Sequence, residues 1–134
     1  MTAIETYAAL EACLLAYPAA LKEYPFGEEV AVFKVGGKMF ALCSWREHPL
    51  RVNLKCPPEQ ADFFRGIFPA VTPGYHMNKR HWNTVTLDGS IPDEIVQEML
   101  DTSYHLIADS LPRRVRQALG LSNPLPRAAT SGKP

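Results

Sequence analysis

No run of about 20 apolar residues occurs in this 134-residue chain, which predicts no bilayer-spanning helix and no membrane partner. The first residues carry Glu5 and Glu11 in an amphipathic pattern and lack the basic and apolar regions of a secretory signal. Cysteine is scarce. Cys13, Cys43 and Cys56 are odd in number, widely spaced and set in apolar segments, which favours buried reduced thiols over a disulfide framework or a zinc site. A cytoplasmic location is the expectation. The formal net charge is zero, which argues against indiscriminate polyanion binding. No helix-turn-helix, zinc-finger or RNA-module signature is visible, and the residues around Gly36-Gly37 match neither a phosphate loop nor a dinucleotide fingerprint. Repeats and domain linkers are missing too. What is left is one globular domain over residues 1–120, with 46% hydrophobic content to build a single core. Residues 121–134, rich in Pro, Ser and Ala, predict a disordered tail.

The charge that is present is segregated along the chain. Residues 1–29 hold five acids against Lys22, and residues 88–109 hold six acids and no Lys or Arg. Between them, residues 30–87 carry Lys34, Lys38, Arg46, Arg51, Lys55, Arg65, Lys79 and Arg80 against Glu47, Glu59 and Asp62. Residues 110–134 add five cations with no acid. The central basic block is either a footprint for phosphate groups or a basic sheet neutralised by acidic helices across the fold.

Thr2-Ala3-Ile4-Glu5 has capping-box spacing and predicts a first helix with Ile4, Tyr7, Ala8 and Leu14 buried, closed by Pro18. Val30–Val35 and Lys38–Ser44 read as strands joined by Gly36-Gly37, a pair that accepts the positive φ of a two-residue hairpin. A third strand, Leu50–Lys55, alternates apolar and polar residues. Pro57-Pro58 opens a second helix with Ala61, Phe64, Ile67 and Phe68 as its stripe. Trp82–Leu87 reads as a strand, followed by a helix capped by Ser90, and Arg113–Leu119 as a short basic helix ended by Gly120. The fold class is α+β: two layers, an antiparallel sheet with helices on one face, in the order α-β-β-β-α-β(-β)-α.

A regular two-residue turn at Gly36-Gly37 places Val30, Val32, Met39, Ala41, Cys43, Leu50, Val52 and Leu54 on one apolar face, under the helices. The other face then mixes Phe33, Val35, Lys38, Phe40 and Leu42 with Arg51, Asn53 and Lys55, an interleaving that fits single-stranded nucleic acid, an acidic protein partner or a homodimer. In the opposite reading Phe33 and Phe40 are covered by a helix or by the tail. Lys34 falls on the apolar face and fits it poorly.

Tyr75-His76-Met77-Asn78-Lys79-Arg80-His81-Trp82-Asn83 is the densest functional stretch, with two imidazoles, two cations and two polar aromatics leading into a strand. Lys79 and Arg80 at a turn tip fit contacts to a phosphate backbone, with Trp82 or Phe40 stacking on a base. His76 and His81 without a third ligand are a weak metal signal, and no carboxylate, serine or cysteine forms a catalytic pairing with them. Tyr104 on the last helix is a candidate to bring its hydroxyl near His76 or Lys79.

The motifs Tyr24-Pro25-Phe26-Gly27, Val35-Gly36-Gly37-Lys38-Met39-Phe40-Ala41, Val52-Asn53-Leu54-Lys55 and Gly74 through Val85, with Ser103-Tyr104 and Leu111-Pro112, closely resemble the MmcQ/YjbR family of small bacterial proteins over about residues 4–115. The resemblance implies a CyaY-like fold related to secretion-chaperone architectures, sometimes described as a double wing. Members of that family are commonly labelled DNA-binding, and no enzyme activity is carried over with the resemblance.

Two expectations result. The first is a DNA-binding protein that contacts phosphates through Lys38, Arg51, Lys55, His76, Lys79, Arg80, His81 and Trp82. The alternative is a protein-interaction adaptor or dimeric scaffold with Phe33, Phe40 and Leu42 as anchors, binding an acidic partner or a second copy. The sequence assigns no catalytic residue, cofactor or metal.

Overall fold

The computed structural model describes residues 4–74 and 77–121. Helix α1 spans Tyr7–Leu15 and starts at Thr6, whose Oγ1 accepts the Ala9 N–H at 3.2 Å. The cap therefore sits four residues beyond the predicted Thr2, which lies outside the described residues. A short strand β1, Leu21–Glu23, follows, then β2 (Val30–Val35), β3 (Lys38–Ser44) and β4 (Leu50–Lys55). Helix α2 (Pro58–Ile67) has its proline in the first turn, where the missing N–H costs nothing. Strands β5 (Val71–Pro73) and β6 (Trp82–Leu87) precede α3 (Asp93–Asp109) and α4 (Arg113–Ala118). Ser90 does not cap α3. Its amide and hydroxyl donate to Asp88 Oδ1 at 3.0 and 2.6 Å, which holds the Asp88 carboxyl below its ordinary range, while Asp93 and Glu94 occupy the first turn of the helix.

The six strands form one sheet in the order β1-β2-β3-β4-β6-β5, every neighbouring pair antiparallel. The α+β class and its two layers are as expected from sequence. Strand β1 was not, because three exposed or half-buried residues carry no alternation that sequence reasoning can detect.

The hairpin register differs from the one expected. Val35 pairs with Lys38 and Lys34 with Met39, but Phe33 then pairs with Ala41. Phe40 is an inserted residue, a β-bulge, and one extra residue reverses the face of everything beyond it. Ala31, Phe33, Val35 and Phe40 consequently lie in the core beside Ala41, Cys43, Leu50, Val52 and Leu54. Val30, Val32 and Lys34 are turned to the outer face, and Val32, though buried, is outside the core cluster. The misfit at Lys34 disappears, since its ammonium pairs with Glu23 at 2.9 Å across β1 and β2.

Helix α3 lies across β2, β3 and β4, and its Tyr104 is fully buried. The Phe40 ring meets Tyr104 edge-on at 5.2 Å, and Tyr17 stacks on Tyr104 at 4.7 Å. Polar atoms in this aromatic cluster are satisfied. Tyr104 Oη donates to the Pro18 carbonyl at 2.7 Å, so it is not the neighbour of Lys79 that the sequence allowed. Tyr17 Oη donates to the buried Asp101 and accepts from Gln97 Nε2 at 3.0 Å. Burial, then the Asp101 hydrogen bond, pushes the Tyr17 phenol far above its ordinary value.

Candidate functional site

Antiparallel pairing gathers alternate connections at each end of the sheet. One end holds the hairpin tip Gly36–Lys38, the end of β4 at Lys55, the start of α2, and the 77–81 segment that leads into β6. The α3–α4 junction closes over the tip. Gly36 has φ +58, and a Cβ there would lie 2.7 Å from Leu111 Cδ1, so the hairpin needs glycine both for its turn and for this approach. Eight cations stand at this end, Lys38, Lys55, Arg65, Lys79, Arg80, Arg113, Arg114 and Arg116, against Glu59, Asp62 and Asp109. The opposite end holds Glu5, Glu28, Glu29, Glu47, Asp88, Asp93 and Glu94 against Arg46 and Arg51. The molecule is thus polarised along its strands, a property that the tally of charge along the sequence does not reveal.

The 77–83 segment is fixed by Arg65, a residue that sequence reasoning missed. Its guanidinium donates from Nε to Asn83 Oδ1 at 2.7 Å, from Nη2 to the carbonyls of Lys79 and Trp82, and pairs through Nη1 with Asp62 at 3.4 Å. The planar fork suits this task, since one rigid group reaches four oxygens. Its signal was present in the sequence: Ala61, Arg65 and Phe68 follow helical spacing, and a cation on an apolar stripe implies buried acceptors. Lys79 is also engaged, its Nζ donating to the Gly74 carbonyl at 3.1 Å, and Asn78 Oδ1 accepts the Arg80 N–H at 3.0 Å. Arg80 is exposed and lines an open cleft with Pro58, Glu59, Asp62 and Arg65.

The expected site residues therefore separate. Lys38, Lys55, Lys79, Arg80, His81 and Trp82 share the basic end. Arg51 does not. It stands at the far end of β4 and pairs with Glu47 at 3.3 Å. His76 and Tyr75 lie outside the described residues. His81 is half-buried and its carbonyl accepts the Cys56 N–H at 2.8 Å. Trp82 is only 8% exposed, and Phe40 is completely buried, so neither ring presents a face on which a base could stack. Phe33 and Phe40 are core residues and leave Leu42, half-buried opposite Asn53 on the outer face, as the one anchor of the three at the surface. Among the described residues the exposed aromatics lie elsewhere: Tyr24, Phe26 and Phe63.

The thiols are chemically quiet. Burial pushes Cys43 up to about 12 and Cys56 up to about 11, and raises Cys13 with help from Asp93. Among the described residues no group of three or more His, Cys, Asp or Glu could hold a metal ion. No described helix is long and apolar enough to cross a membrane.

A protein from Deinococcus radiodurans, DR2400, described with domain DUF419, superposes with a TM-score of 0.86 at 39% identity over 92% of this chain and 94% of its own. A Pseudomonas syringae protein shares the fold, with a TM-score of 0.66 at 23% identity over 76% of this chain and 98% of its own. In sequence, the uncharacterized YbdF of Escherichia coli O157:H7 is 38% identical over 68% of this chain and 75% of its own length. The uncharacterized YjbR of Escherichia coli K12 is 40% identical over 64% and 73%. The YjbR family model matches residues 15–106, a span that holds the hairpin, the Arg65 clamp and most of α3, and this chain belongs to the YjbR family.

Proposed function

We propose that this protein is a non-enzymatic binding protein that holds DNA through the basic end of its sheet, contacting backbone phosphates without reading bases. The observation that carries this is the convergence of eight cations from separate parts of the chain on one end, against three acids. Lys38, Lys55, Arg80, Arg113 and Arg114 make no ion pair with a described residue, so their charge is available to phosphate. Burial of Trp82 and Phe40 speaks against stacking on single strands and for contacts along a duplex backbone.

The test is fluorescence anisotropy with labelled duplex DNA across a salt series. Five phosphate contacts correspond to a slope of roughly −4 to −5 in log K against log salt. Replacing Lys38, Arg80 and Arg114 together by alanine should lower the affinity for every duplex sequence alike and reduce the slope by about 3. Absence of binding at low salt would sink the proposal.

The adaptor reading keeps Leu42 and loses Phe33 and Phe40. What favours it is the exposure of Tyr24 and Phe26 in the β1–β2 connection. Capture of a partner that is lost on replacing Phe26, together with no DNA binding, would select it.

A further inference from the structure

Surface charges in a small domain usually find opposite charges nearby. Here Glu29 and Glu47 at the acidic end do so, with Arg46 and Arg51, and Arg65 at the basic end does so, with Asp62, yet each end keeps a surplus of one sign. Strand β2 separates the Glu28-Glu29 loop from the hairpin tip by six residues, roughly 20 Å at a strand's rise. That exceeds the Debye length of about 8 Å at physiological ionic strength, so one end does little to offset the other within a molecule. A second molecule can bring the ends together.

We infer that copies of this chain associate head to tail, the basic end of one docking on the acidic end of the next. Charge complementarity commits the occupant: the chain itself carries a surface of each sign, built on the same rigid sheet. Each end also exposes apolar side chains. Tyr24 is 44% and Phe26 67% exposed beside Glu28, and Leu119 is 38% exposed at the end of the basic helix α4. Exposed apolar groups beside complementary charges supply the two kinds of contact that specific protein interfaces combine. Contact between different surfaces leaves a free end on each copy, so growth does not stop at a dimer. The proposal does not rest on nucleic-acid binding, which would compete for the same basic end.

Sedimentation equilibrium of the full chain at about 20 mM and about 500 mM salt tests it. The weight-average mass should rise with concentration past that of a dimer at low salt and return to monomer at high salt. Arg113→Glu/Arg114→Glu and Glu28→Lys/Glu94→Lys, all exposed positions, should each be monomeric alone. Mixed in equal amounts they retain one basic and one acidic end between them, and a 1:1 heterodimer and nothing larger should form. Circular dichroism of each variant establishes that it is folded. A wild-type monomer at low salt, a dimer indifferent to salt, or a mixture that stays monomeric would each overturn the proposal.

Discussion

Ser103 on α3 donates its hydroxyl to the Phe40 carbonyl at 2.5 Å, at the bulged residue itself, and accepts the Lys55 N–H at 2.8 Å. The β3–β4 register ends at Ala41 and Leu54, so the hydroxyl takes over where the ladder stops and serves one backbone group from each strand. Ser103→Ala leaves both without this partner in a buried position. It should lower stability by about 2–3 kcal/mol in urea denaturation, and a loss below about 0.5 would show that the bridge is replaceable.

Arg65 organises the segment leading into β6. Arg65→Ala should cost about 3 kcal/mol, with amide exchange accelerated at His81 and Trp82, whose N–H groups bond to the Asn78 carbonyl. Arg65→Lys should not restore protection, because an ammonium cannot reproduce the planar fork that spans Asn83, Lys79 and Trp82.

The bulge makes a contrast that the regular hairpin would not. Phe40→Ala removes a fully buried ring and should cost about 3–5 kcal/mol, whereas Leu42→Ala on the outer face should cost under about 1.5. Equal costs would indicate the register without the bulge.

Burial raises the Cys43 thiol from 9.0 to about 12, with Glu47 adding to it. The folded state therefore favours the neutral thiol. Its contribution is complete below pH 9 and is lost as pH rises toward 12, a change on the order of a few kcal/mol. Urea midpoints measured from pH 8 to 11 should fall more steeply for the wild type than for Cys43→Ala, once the cavity cost of the variant is subtracted. Parallel slopes would exclude Cys43 as the cause.

Much of this molecule was legible in its sequence. The alternation in Leu50–Lys55, the Gly36-Gly37 turn, the Pro57-Pro58 entry to α2 and the acids opening α3 each act over a few residues, and each formed as local chemistry dictates. The motifs around the hairpin and at Gly74–Val85 were enough to place the chain in its family. The face of Phe33 was decided by tertiary structure. A strand has a period of two, so a single inserted residue at Phe40 inverts the inside and outside of β2, and the aromatic pocket of Tyr17 and Tyr104 that receives Phe40 comes from distant parts of the chain. Charge was likewise countable but not placeable. Antiparallel strands return every second connection to the same end, and that return separates Lys38, Arg80 and Arg113 from Glu28 and Glu94, because direction along a sheet exists only once its strands have paired.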